Sequence, residues 1–205
     1  MEPRYEPACL LEKENPTFQM NTCQSTTISL IDEAFADVPP PPKWNGIYSA
    51  EARDDYRDPT PEERAKEIRM TWQKATTEDL NRCTTALSHL TPEGWHHFIP
   101  AYMRWTIQYM DDPKWRDSNL MDSVSFSLRN KKRSSADLED YIEERHSRLD
   151  LKQLEAVMAY FQCFSEDEAD FYFDQLFDDL HYWYDRYEQL GGEKAKDSLL
   201  WLFYR

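Results

Sequence analysis

Three pairs of side chains in this sequence could hold a metal: Glu93-x-x-His96, Glu143-x-x-His146 and Asp178-x-x-His181. On a helix, a spacing of three places carboxylate and imidazole on one face, as the ligand helices of di-iron bundles require. Such a centre needs two pairs and further carboxylates converging inside a bundle. Here Glu93-Gly94 falls in the first turn of its helix and the second pair near a helix end, so ordinary charged positions are expected. A metal-binding or hydrolytic enzyme around His96 and His181 is the alternative. His96 and His97 are neighbours and point about 100° apart on a helix, so one buried and one exposed ring is the expectation. Asp170, Asp174 and Asp178 lack the glycine-turned loop that wraps calcium. No glycine-rich phosphate loop, nucleophile elbow or zinc-protease helix occurs, so no catalytic residue, metal ligand or cofactor is assigned.

A stronger pattern lies in residues 166–190. Phe173, Phe177, Leu180, Tyr184 and Tyr187 share one helical stripe, and Asp170, Asp174, Asp178 and Asp185 share the neighbouring face. Residues 137–190 carry sixteen acidic and four basic side chains, which is most of the net charge of −15. Like charges four apart repel by a few tenths of a kcal/mol per pair, so such a ridge is mildly destabilising unless something uses it. Carboxylates steer a basic protein, and the interleaved Tyr182, Trp183 and Tyr187 would anchor it. The partner-binding residues assigned are therefore Asp170, Asp174, Asp178, Asp185, Tyr182, Trp183 and Tyr187. The expected partner is a basic protein, with a bacterial toxin as the most specific form and this chain as its immunity or inhibitor protein. An acidic nucleic-acid mimic is a further alternative, because a carboxylate array can imitate phosphate spacing.

The elements that position these residues read as helices. Ile28, Ile31, Phe35 and Val38 mark a helix that stops before the extended Pro39–Pro42 run. Thr60-Pro61-Glu62-Glu63 combines a cap hydroxyl, a first-turn proline and a returning carboxylate, and predicts a helix buried along Ala65, Ile68, Trp72 and Ala75. The next helix follows Thr76-Thr77 and carries Leu80, Cys83, Leu87 and Leu90. Thr91-Pro92-Glu93 starts a third, which Pro100 either kinks or divides ahead of Tyr102, Met103, Thr106, Ile107 and Met110. Val124, Phe126 and Leu128 alternate with serines, so a short extended segment is expected near 120–128. Residues 129–136 read as an exposed basic loop. Leu154, Val157, Met158, Phe161 and Phe164 define a further helix, and Ser165 with Glu168 has the spacing of a capping box for the acidic one.

Composition agrees. In 205 residues, 4 glycines against 39 acidic and 24 basic residues disfavour a turn-rich β architecture, and 40% hydrophobic residues suffice for a core. The fold class expected is mainly α: a compact multi-helix domain over 25–205, with a loosely ordered arm at 1–24 and an added acidic aromatic helix at 166–190. The N-terminus lacks the basic and apolar regions of a secretory signal, and no long apolar run follows, so a cytoplasmic protein without membrane contact is expected. Cys9, Cys23, Cys83 and Cys163 form no close pair, which suits reduced, mostly buried thiols. Four cations in the 129–136 loop of an acidic chain do not make a nucleic-acid patch, and none is assigned.

IDEAFADVPPPP at 31–42, LTPEGWHHFIPAYMRWTIQYMDDP at 90–113, DSVSFSLRN at 122–130 and RLDLKQLEAVMAYFQCF at 148–164 together resemble an uncharacterised family of small bacterial proteins, a domain of unknown function. The resemblance spans roughly residues 31–164. It implies a bacterial helical protein, carries no catalytic residue with it, and implies that the acidic helix is an addition in this chain.

Overall fold

Asparagine, threonine and serine side chains start five of the described helices, by accepting hydrogen bonds from backbone N–H groups that the first turn cannot pair. The computed structural model describes residues 20–115, 118–130, 136–164 and 173–192, without the side chains of 136–137 and 173–176. Among these it contains ten α-helices and one 3-10 turn, and no strand. The expected mainly α fold is what the chain adopts. Residues 1–19 of the arm expected at 1–24, and the Ser165–Glu168 cap, lie outside the described residues, and residues 22–24 of that arm belong to the first helix.

Helix α1 (Thr22–Ala34) begins earlier than the apolar stripe suggests, because Asn21 and Gln24 cap each other reciprocally at 2.9 and 2.8 Å. Helix α2 (Ile47–Asp54) has no periodic signal long enough to read, and its own N-cap is a glycine. Its first turn is closed instead from the next helix: Glu67 accepts from the Gly46 and Ser49 amides at 3.1 and 2.7 Å and from the Ser49 hydroxyl at 2.8 Å. Helix α3 (Pro61–Glu67) has the expected Thr60–Glu63 capping box but ends after seven residues. Ala65 and Ile68 are exposed, and Trp72 sits in the 3-10 turn Trp72–Lys74, so the single stripe expected from Ala65 to Ala75 does not form. Its buried member is Glu63, held by Arg57 and Arg82.

Leu80, Cys83, Leu87 and Leu90 are all buried, as their spacing demands, but on two short helices, α4 (Thr77–Arg82) and α5 (Ala86–His89). Helix α6 (Pro92–Tyr109) runs through Pro100 without dividing, and twelve of its eighteen residues are buried. A helix covered on nearly all sides is the centre of its fold; α1, α5, α7, α8 and α9 all pack against it. Gly94 is fixed by that packing: a Cβ there would come within 2.4 Å of the Asn45 carbonyl oxygen.

The segment expected to be extended near 120–128 is helix α7 (Asn119–Leu128), capped by the Ser118 hydroxyl. Leu120, Val124 and Leu128 recur at four-residue steps and are fully buried, whereas Phe126 is exposed. The alternation came from serines that are not all solvent-facing: Ser127 is buried and accepts the Trp95 indole N–H at 2.5 Å, and Ser123 donates to the Thr84 carbonyl at 2.7 Å. Helices α8 (Ala136–His146), α9 (Leu151–Phe164) and α10 (Phe173–Gln189) complete the fold. Helix α9 lies along both α1 and α10. No described helix is long and apolar enough to cross a membrane. Cys83 and Cys163 are buried free thiols.

Candidate functional site

Helix α10 turns Tyr182, Trp183 and Tyr184 inward. Trp183 is 0% exposed and donates its indole N–H to the Leu128 carbonyl at 2.9 Å. The Tyr182 hydroxyl meets His146 Nδ1 at 2.9 Å, and burial pushes that phenol up to about 12. Tyr187 is half-buried and donates to Glu155 at 2.7 Å. Trp183 and Tyr182 are committed to contacts with α7 and α8 and are not accessible anchors, whereas Tyr187 bonds to α9 and keeps part of its ring exposed. The reason is periodicity: 184 and 187 lie about one turn apart and bond to Gln162 and Glu155 of α9, while 182 and 183 meet His146 of α8.

The outward face of α10 carries Asp178, His181 and Asp185, all exposed. Asp174 lies on this helix with its side chain outside the described set, and Asp170 lies outside the described residues altogether. Asp179, one step round, is buried and accepts from the Asn130 amide at 2.5 Å. On one flank, α8 is tied to α10 by Glu143 and Arg186 at 2.9 Å; on the other, α9 is tied by the Tyr187–Glu155 bond. Over α8, the turn after it, α9 and α10, the exposed charged side chains among the described residues are Glu139, Asp140, Glu144, Asp150, Glu155, Asp178 and Asp185, against Lys152. The described exposed charge on these three helices is therefore predominantly acidic.

The three carboxylate–imidazole pairs do not converge. Glu93 is paired with Arg148, and His96 with Gln153 at 2.8 Å. Glu143 is paired with Arg186, while His146 is fully buried between Tyr182 and the Ser127 carbonyl. The His146 ring donates from Nε2 to that carbonyl and accepts at Nδ1, so it is neutral, and burial pushes it down to about 3. His181 lies against the Phe177 ring, with centroids 4.2 Å apart. Among the described residues no group of three or more His, Cys, Asp and Glu could hold a metal ion. His97 is buried and donates from Nδ1 to the Val38 carbonyl while Nε2 accepts from the Trp72 amide at 3.1 Å; His96 is only partly covered.

One site has no counterpart in the sequence reading. Trp44, Ser49, Arg53, Arg57, Asp58, Pro59 and Arg64 line a cleft of about 260 Å³. Trp44 sits third in the β-turn 42–45, closed by the Asn45 amide on the Pro42 carbonyl, with φ +69°. That position usually takes glycine, and a bulky side chain there is strained. The only sequence signal was an arginine pair four apart at the end of α2, a helix too short for its period to be read.

A family model described as a family of unknown function, DUF6714, matches residues 23–187. The match reaches through most of α10, so the acidic helix is part of the family's own fold and not an addition. No curated protein and no solved structure matches the chain.

Proposed function

We propose that this chain, which belongs to the family of unknown function DUF6714, is a partner-binding protein that docks a basic protein through the carboxylate face of α8, α9 and α10. The supporting observation is the exposed charge of that face: seven carboxylates and one ammonium, with Asp178 and Asp185 outward on its central helix. Such a surface raises the encounter rate of a basic partner and disfavours acidic ones, and its effect weakens with salt. Because Tyr182, Trp183 and Tyr184 of α10 are core residues, recognition rests on carboxylates, with exposed Leu138 and Leu190 as apolar contacts. The most specific form of the reading is a bacterial immunity or inhibitor protein that covers the basic substrate-binding surface of a toxin.

The test is affinity capture from the source organism, with the wild-type chain and a variant carrying Asp178→Asn, Asp185→Asn, Glu144→Gln and Glu155→Gln. The expected result is a basic protein retained by the wild type at low salt and lost by the variant. Equal recovery of the same partners by both chains contradicts the reading. Recovery of many unrelated DNA-binding proteins, lost steeply with salt, would point to the nucleic-acid mimic instead.

A further inference from the structure

The cleft beside Trp44 is basic in a chain of net charge −15, and its cations are unevenly compensated. Arg57 is held by Asp55 at 3.0 Å and by Glu63 at 2.7 Å. Arg53 and Arg64 have no carboxylate partner among the described residues. Arg53 donates to the carbonyls of His89 at 2.7 Å and Trp44 at 3.4 Å, and Arg64 donates to the Pro59 carbonyl at 3.0 Å with its guanidinium 5.2 Å from the Trp44 ring centroid. Those bonds fix where the two guanidinium groups stand without neutralising them. Asp58, exposed, is the one carboxylate in the cleft lining.

Trp44 also lines a second, mainly apolar groove of about 160 Å³ with Pro40, Pro41, Ile68, Met70 and Phe98, flanked by Lys43 and Glu67. Ile68 in that groove is 65% exposed, an uncovered apolar side chain next to an uncovered indole. The strained turn therefore places one aromatic ring between an arginine cleft and an apolar one. Backbone strain of this kind costs about 1–3 kcal/mol and persists where the surroundings enforce it, typically at ligand sites.

We propose that the cleft binds the phosphate group of a phosphate monoester whose organic part lies over Trp44 into the proline-lined groove. Two uncompensated guanidiniums match a dianion better than a carboxylate, since a phosphate monoester carries about −1.5 to −2 at neutral pH. Planar guanidinium forks suit its oxygens, and the indole suits an adjacent ring. Together the two recesses fall within the size range of small-ligand sites, which begin at roughly 300 Å³. This site shares no residue with the carboxylate face, so either can fail alone.

The experiment is calorimetric titration of the full chain with phenyl phosphate, beside benzoate and inorganic phosphate. Saturable one-to-one binding is expected, at least about tenfold tighter for phenyl phosphate than for either control. Arg64→Gln and Arg53→Gln should each weaken it about tenfold, whereas Lys152→Gln, on the remote acidic side, should leave it unchanged. Trp44→Gly removes the stacking ring and relieves the turn, so it should lose binding while its melting temperature holds or rises; this separates a binding role from a folding one. Adenosine monophosphate and a phosphotyrosine peptide separate a metabolite from a modified protein side chain as the source, and tighter binding of either supports the site. Absence of saturable binding, or equal binding by wild type and the folded Arg64→Gln and Trp44→Gly variants, overturns the proposal.

Discussion

Glu63 and His146 are buried ionisable groups whose environments push them in opposite senses relative to their charge. The Arg57 guanidinium, with help from the Thr60 amide and hydroxyl, holds the Glu63 carboxyl down to about 2. An unfolded chain would protonate it near 4.5, so its stabilisation is complete above that pH and is lost as pH falls toward 2. Glu63→Gln should therefore lower stability at neutral pH by about 2 kcal/mol, with the gap to wild type closing as the pH falls from about 4 toward 2 in urea titrations. His146 is held neutral by burial, down to about 3 from its ordinary 6.5. The unfolded chain takes up that proton first, so stability is full above 6.5 and falls as pH drops toward 3. Burial lowers His96 and His97 in the same direction, so His146→Gln should shrink, and not abolish, the loss of stability between pH 7 and 5. An unchanged slope would mean that His146 is not buried as described. Residue types alone could flag these positions but not their states, because neither burial nor a partner 19 or 36 residues away is written locally: Glu63 reads as a cap residue, and it is one, but its two arginines come from outside its helix.

At the scale of elements, caps were the most legible feature. Thr60, Thr76 and Thr91 all start helices where their side chains predict, since a cap and its partner are three residues apart in sequence. Helix ends and short helices were not. Helix α2 escapes notice because its cap comes from Glu67, and α7 was misread because Ser123 and Ser127 bond inward and mimic an exposed strand face. Ile68 suggested a longer α3 and is instead exposed beside the Trp44 groove. The pattern of buried apolar residues was right in composition more often than in the helix assigned to carry it. One contact between elements is unusually tight: Gly94 of α6 under the Asn45 carbonyl. Gly94→Ala inserts a methyl where backbone must move, and should cost about 1–3 kcal/mol, read as a fall in melting temperature. A tolerated alanine would mean that the 42–46 turn is not seated on α6.

Over the whole molecule the charge is polarised. The acidic excess was evident in the sequence, and so was the helical stripe of α10; what sequence could not tell was which stripe faces the core. Trp183 and Tyr182 looked like anchors because aromatic residues serve both interfaces and interiors, and only the position of α10 between α8 and α9 decides between them. The result is a surface with exposed carboxylates over three helices and, on other elements, two arginines without carboxylate partners among the described residues.

The central claim is that partners meet the outward face of α10, and site-specific photo-crosslinking tests it directly. A photoreactive phenylalanine replacing His181 stands between Asp178 and Asp185, while the same group replacing exposed Glu78 on α4 samples a different face. The expected result is one basic protein crosslinked from position 181 in cells of the source organism, absent from position 78 and reduced by Asp178→Asn with Asp185→Asn. Crosslinks from position 78 alone, or to the same proteins from both positions, would contradict it.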